Sequence, residues 1–165
     1  MRSPLRLIVV VSALVVAAFT FAVAAYAESP HFIGNPSCTK NANTGVLTCS
    51  GKAAGLGNGP TAAFLTADSV SATYECVNKG GNVAPGQPVV LQDVQGPTQT
   101  ITPHNGQITF APTLSPPTPP SAKDECPNGN WSVRRTSLTY TNVVLHIQQP
   151  PGTDVLTFNA GTIDP

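Results

Sequence analysis

The sequence predicts an all-β fold, an antiparallel β-sandwich of immunoglobulin-like type, held by two disulfides and preceded by a signal peptide. Three observations carry that prediction. Arg2 and Arg6 precede an apolar stretch from Leu7 to Val23, and Ala25-Tyr26-Ala27 then offers small residues at the two positions a signal peptidase reads. All four cysteines lie beyond that point, and an exported chain meets an oxidising compartment in which disulfides persist. Short β-prone runs then alternate with turn residues at intervals of about eight to twelve positions, and no helix-period segment is long enough to stand alone. That punctuation describes a sandwich or a barrel, and the sandwich is the reading adopted.

Residues 1–27 are expected to be cleaved, leaving 28–165 as a single domain of ordinary size. The apolar stretch approaches the length of a short membrane span, so retention as an anchor is the rival reading. Cleavage is preferred: no cysteine directly follows Ala27 to take a lipid, and Arg2 and Arg6 are not adjacent as a twin-arginine signal requires. No second apolar run of spanning length follows, so the mature chain is expected outside the cell or at its envelope, with no stable membrane span. Its six Lys and Arg against eight Asp and Glu leave a formal charge of −2. Arg134-Arg135 is the one adjacent basic pair, too little cationic surface for phosphate backbones, so nucleic acid is not an expected partner. A hydrophobic content of 41% is too high for a wholly disordered chain.

Taken in order, Ser37 to Lys40 and Val46 to Lys52 flank the turn-rich Asn41-Ala42-Asn43-Thr44-Gly45 and read as a hairpin. Cys38 and Cys49 lie one on each arm at nearly equal distance from the turn, which suits a cross-strand bridge. Ala54 to Pro60 is too glycine-rich for a strand interior and reads as a loop. Val70, Ala72, Tyr74 and Cys76 alternate with Ser71, Thr73 and Glu75, the signature of a half-buried strand that ends at Asn78-Lys79-Gly80-Gly81-Asn82. Pro88 to Val94, Thr98 to Thr102 and Gln107 to Ala111 are three further short strands. Between Pro112 and Asn130, five prolines remove donors that a ladder needs, so this Pro-rich loop is expected to be extended and highly exposed. Ser132 to Gln148 is a long β-rich segment in which Leu138 and Tyr140 form one alternating set and Val143, Leu145 and Ile147 the other. The change of set near Asn142 predicts a bulge or a crossing between sheets. Val155 to Ala160 closes the fold.

Four cysteines allow three pairings. With Cys38–Cys49 assigned to the hairpin, Cys76 is expected to join Cys126 across the Pro-rich loop, while the pattern by itself leaves the other two pairings open. Disulfide formation would remove all four thiols from catalysis and metal binding.

No assembled reactive constellation is visible, and neither a catalytic residue, a cofactor nor a metal site is expected. Ser37-Cys38-Thr39-Lys40 has the Ser-x-x-Lys spacing of penicillin-recognising enzymes, but it lies in a hairpin arm and lacks the companion Ser-Asp-Asn and Lys-Thr-Gly motifs. His31, His104 and His146 are scattered, without zinc-ligand spacing. Asp124-Glu125 are adjacent in a loop rather than held apart as glycoside hydrolysis needs. The glycines from Gly55 to Gly59 lack the lysine and helix of a phosphate loop. Candidate partner-binding side chains are Trp131, Tyr140, Pro117, Pro119 and Pro120, with burial favoured for Tyr74 and Trp131. Asn130-Trp131-Ser132 has the form of a glycosylation sequon.

At Gly55-Leu56-Gly57-Asn58, at Tyr74-Glu75-Cys76-Val77-Asn78-Lys79-Gly80-Gly81 and at Cys126-Pro127-Asn128-Gly129, the chain resembles a group of small secreted bacterial proteins, actinobacterial in type, that have no assigned activity. The resemblance covers most of residues 28–165 and implies export and a disulfide-bonded β fold, with no catalytic residues to carry over. The expected function is a secreted, noncatalytic binding or structural module meeting an extracellular protein or polysaccharide. Two alternatives are a protease inhibitor presenting Leu114 to Asp124, and a hydrolase assembled in the fold from His104 or His146 with Asp93 or Asp154.

Overall fold

The computed structural model describes residues 29–164, so the expected signal peptide and its cleavage site lie outside the described residues. Those residues form eleven strands and one helical turn. In chain order these are β1 (His31–Phe32), β2 (Ser37–Lys40), β3 (Leu47–Ala54), β4 (Thr61–Asn78), β5 (Val83–Pro85), β6 (Val89–Gln95), β7 (Gln99–Ile101), β8 (Ile108–Phe110), β9 (Thr113–Leu114), α1 (Ala122–Glu125), β10 (Trp131–Gln148) and β11 (Asp154–Ile163). Among the described residues no helix is long and apolar enough to cross a membrane.

Two antiparallel sheets face each other. In one, β1, β2, β8 and β9 all pair with the spine strand β3. In the other, β11, β10 and β4 are successive neighbours, and the far edge of β4 is lined by β5, β6 and β7 in turn. Leu47, Cys49, Phe110 and Leu114 from the first sheet meet Leu65, Val70, Tyr140, Val143, Leu145 and Ile147 from the second in one apolar core. Each such side chain, fully removed from water, stabilises by roughly 1.5–3 kcal/mol before conformational entropy is counted.

The expected hairpin is present, with Cys38 directly opposite Cys49 in the β2–β3 register. Its turn is fixed by Asn41, whose Oδ1 accepts from the backbone N–H groups of Asn43 and Thr44 at 3.0 and 2.9 Å. Between β7 and β8, His104-Asn105-Gly106-Gln107 closes a tight turn with φ of 52° at Asn105 and 71° at Gly106. Positive φ at both central positions is what an Asn-Gly pair supplies most readily. Both disulfides are formed, Cys38–Cys49 and Cys76–Cys126, with Cα separations of 4.0 and 5.7 Å.

The change of alternating set in β10 is part of a transverse crease through the second sheet. Asn142 has φ 51° and lies level with Asp68 of β4, to whose Oδ2 it donates from Nδ2 at 2.7 Å. Asp93 of β6, at φ 50°, lies level with Asp68 on the other side, and Gly161 of β11 has φ 73° beside the register shift that follows Tyr140. Across this line, inward positions pass from Ala63, Leu65 and Ala67 to Val70, Ala72 and Tyr74 in β4, and from Val143, Leu145 and Ile147 to Tyr140 and Leu138 in β10. The β4–β10 register is unchanged through the crease, and its one shift lies between Arg135 and Ser137. There Thr136 is the extra residue of a β-bulge.

Two expectations need correction. The Pro-rich segment is highly exposed only in its second half, from Thr118 to Asn130: Leu114 is 1% exposed within β9, and Pro117 is fully buried. Its first half belongs to the core because Leu114 and Thr113 pair with β3 and the carbonyls of Leu114 and Pro117 are taken by buried tyrosines. The strand containing Tyr74 is also longer than its alternation indicates. Thr61 to Leu65 belong to β4 but are buried on both faces, which erases the period-two signal.

If each staple acts mainly on the unfolded chain, their worth follows the loop closed, with sequence separations of 50 for Cys76–Cys126 and 11 for Cys38–Cys49. Replacing Cys76 and Cys126 by alanine is expected to lower unfolding free energy by about 4 kcal/mol, and Cys38 and Cys49 by about 3 kcal/mol. Denaturant unfolding of the oxidised variants checks the order, and a larger loss for the hairpin bond contradicts it.

Candidate functional site

A groove of about 730 Å³ opens at one end of the sandwich. One wall is the β2–β3 turn from Lys40 to Gly45, a second is Pro116, Pro117 and Pro119, and the third is Arg134 to Leu138 of β10. These three segments are remote in sequence and meet because each is tied to the core by a specific contact.

The ties are the two tyrosines of the described chain. Tyr140 is fully buried, and its hydroxyl donates toward the carbonyls of Gly45 at 2.8 Å and Leu114 at 3.2 Å. One phenol thus holds the hairpin turn and the start of the Pro-rich segment to β10. Tyr74, 4% exposed, donates from its hydroxyl to the Pro117 carbonyl at 3.2 Å. Farther along, α1 is capped by Ser121, whose Oγ accepts from the Lys123 N–H at 3.3 Å, and the next residue is the half-cystine Cys126. The Pro-rich wall is therefore fixed at Leu114, Pro117 and Cys126, and proline itself leaves little backbone freedom between them.

Three cations line this groove. Arg134 is paired with Glu75, its cross-strand neighbour on the outer face of the sheet. Arg135 lies opposite Tyr74 and so points inward, between the sheets at their open end. Its guanidinium lies against Gly45, and Nη1 donates to the Thr44 carbonyl at 3.2 Å. A Cβ at position 45 would stand 2.6 Å from the guanidinium nitrogens, and Gly45 has φ 78°, so both the space and the backbone call for glycine. Lys40 Nζ donates to the Leu138 carbonyl at 2.8 Å. Burial lowers the pKa of Lys40, the Asp164 carboxylate opposes that shift, and the Arg135 charge adds to it.

Of the side chains anticipated as a partner surface, the structure keeps Pro119, which is exposed on the groove wall, and leaves Pro120 and Trp131 half-buried. Tyr140 and Pro117 are corrected: both are buried, Tyr140 because its ring fills the core and its hydroxyl is needed by two carbonyls. In the anticipated protease-inhibiting segment Leu114 and Pro117 face inward, while Ser115, Thr118, Pro119, Ser121, Lys123 and Asp124 are exposed. The cations Lys40, Arg134 and Arg135 were not singled out as a site from the sequence. The adjacent pair was visible there, but the approach of Lys40 from the hairpin depends on the fold.

The anticipated histidine–carboxylate contact exists in one of its forms. His146 Nδ1 lies 2.9 Å from Asp154 Oδ2, and Nε2 lies 3.0 Å from Thr66 Oγ1. The imidazole also stacks on Phe64 at 4.8 Å and 8°. Carboxylate, imidazole and hydroxyl stand in the order of a proton relay. Thr66, however, sits mid-strand on the outer face of the sheet, where its neighbours' N–H groups face the β6 and β10 ladders, so no pair of donors converges on a reacting oxygen. The network joins β4, β10 and the start of β11. His104 lies exposed in the Asn-Gly turn, beside a smaller recess of about 330 Å³ shared with Lys52, and Asp93 lies in the crease. His31 Nδ1 contacts the Ser29 carbonyl at 2.9 Å. Lys40 Nζ donates to the Leu138 carbonyl, and Cys38, beside Ser37, is in a disulfide. Among the described residues, no group of three or more His, Cys, Asp and Glu side chains is placed to hold a metal.

Burial raises the Tyr74 phenol above its ordinary range and pushes Tyr140 up to about 12, while the Arg135 cation pulls both the other way. A raised phenol means that the folded state binds the proton more tightly than the unfolded state. Tyr140's contribution is thus complete below pH 10.0, its unperturbed value, and is lost as pH rises through about 12. In residues 28–165 these are the two tyrosines present. Absorbance titration near 295 nm is expected to show both ionising above the ordinary range, Tyr140 last and together with loss of structure; a full two-tyrosine step near pH 10 in folded protein contradicts this placement. In comparisons with protein families, curated proteins and solved structures, the chain matches none.

Proposed function

We propose that this protein is a secreted, noncatalytic binding module with immunoglobulin-like layering, and that the groove at the open end of its sandwich receives an extended segment of an extracellular partner. The observation that carries the reading is the convergence of three remote segments, each fixed by its own core tie, on a concavity of about 730 Å³. A site whose walls are already fixed loses little conformational entropy when a partner enters. Two disulfides support an extracellular setting, since such bonds persist where the environment is oxidising. The fixed prolines and the tyrosine ties serve no evident catalytic step but are well suited to holding a surface in one shape.

Thr136 and Ser137 form the floor of the wall contributed by β10, and Thr136 is the exposed bulge residue. A tryptophan there fills the groove without entering the core. Immobilised, oxidised residues 28–165 are expected to capture a component from extracellular proteins or envelope polysaccharides, and Thr136→Trp is expected to lose it. Affinity capture with both proteins checks this. Equal capture by the two, or none by either, sinks the groove as the binding site.

A further inference from the structure

We infer that the groove selects an acidic peptide segment, with the Arg135 guanidinium as the anchor for one of its carboxylates; the inference rests on the binding-module reading above. Residues 28–165 carry six Lys and Arg, and Lys40, Arg134 and Arg135 all line this one groove, whose lining includes no Asp or Glu. Within residues 28–165, whose six Lys and Arg stand against eight Asp and Glu, this concentration is a local reversal of sign.

The three cations are not equivalent. Glu75 neutralises Arg134, and Asp164 acts on Lys40 from outside the groove lining. Arg135 has no carboxylate partner among the described residues. One of its N–H groups is used by the Thr44 carbonyl, and a guanidinium has five, arranged as a planar fork that fits a carboxylate with two parallel hydrogen bonds. Contact with Gly45 and Thr44 holds that fork at the mouth of the sandwich, so its orientation is set before a ligand arrives. Partial enclosure between the sheets reduces screening of the charge.

The walls favour a peptide over a carboxylated glycan. No aromatic ring lines the groove, because Tyr74 and Tyr140 lie beneath it with their hydroxyls engaged, and Trp131 is outside its lining. A sugar ring would therefore lack the flat face on which it commonly stacks. Pro116 and Pro119 offer apolar contacts to side chains flanking an acidic residue, while the hydroxyls of Thr136 and Ser137 are held by Thr73 Oγ1 at 2.7 and 2.6 Å.

The probe is a fluorescein-labelled hexaglutamate peptide, followed by anisotropy, with hexaglutamine and hexagalacturonate as comparators. Hexaglutamate is expected to bind, to weaken as salt rises, and to exceed hexaglutamine by about tenfold or more. Arg135→Gln is expected to lose about tenfold or more in affinity. Arg135→Lys keeps the charge without the fork and should fall between, whereas Lys52→Gln, outside this groove, should bind as the natural sequence does. Circular dichroism identifies a variant that has failed to fold, in which case Arg135→Lys decides. Equal binding of hexaglutamate and hexaglutamine, no binding of either, or undiminished binding by Arg135→Lys and Arg135→Gln overturns the inference. Equal or tighter binding of hexagalacturonate overturns the peptide assignment. If Thr136→Trp abolishes capture of an extracellular component while hexaglutamate fails to bind, the acidic ligand falls and the groove reading stands. If Thr136→Trp leaves capture unchanged, the groove reading itself falls.

Discussion

The ladder between β4 and β10 is the interaction on which the rest of the molecule depends. Both strands are 18 residues long and stay paired almost from end to end, and nearly every other feature is attached to one or the other. Such a span, twisted as sheets must be, cannot keep one face toward a single opposing layer without adjusting its alternation. The crease through Asp93, Asp68, Asn142 and Gly161 makes that adjustment in adjacent strands at one level. Because the change occurs together, pairing is preserved while the inward face is reassigned. Had β10 alone shifted, Ala63, Leu65 and Ala67 of β4 would face water and the ladder would pair apolar positions with polar ones.

Below the crease, inward positions serve a different purpose from those above it. Leu145 and Ile147 fill space, whereas Tyr140, Tyr74 and Arg135 reach across to carbonyls of the hairpin turn and the Pro-rich segment. A loop normally runs over the surface because its backbone polar groups need water. Here two phenols and one guanidinium take the place of that water, which lets the Pro-rich segment lie close against the core and makes one side of it a wall. The bulge at Thr136 interrupts the β4–β10 register beside Arg135. Shape at this end of the molecule is therefore set by polar contacts, and apolar packing supplies the platform that keeps them dry.

Local signals in the sequence were strong wherever chemistry and periodicity agreed. The hairpin around Asn41 to Gly45, the alternation from Val70 to Cys76 and the short strands between turn residues were legible because each follows from a few neighbouring side chains. The switch of set at Asn142 was legible as an irregularity, but its continuation through Asp68, Asp93 and Gly161 was not, since those positions are remote in the chain. Thr61 to Leu65 gave no alternation because both faces are covered. The Pro-rich segment was misjudged for a related reason: proline content describes the lack of donors, while Tyr74 and Tyr140, which bury the segment by supplying donors from elsewhere, lie dozens of residues away. The groove was hidden for the same cause, because Lys40 and Arg135 become neighbours only once the two sheets face each other.

The far edge of β4 is served by three short strands rather than one long one, and this has a consequence for the molecule at high concentration. An uninterrupted edge is a template on which a second chain can add a strand. β6 carries Val90 at 50% and Leu91 at 41% exposure, the kind of apolar sequence that invites such addition, yet it is closed on one side by the Gln95-Gly96-Pro97 break and is bent at Asp93. No visiting strand could stay in register past that bend. The crease that lets the sheet reassign its inward face thus also bends the β6 edge, so that a strand added there would meet a break in its ladder at Asp93.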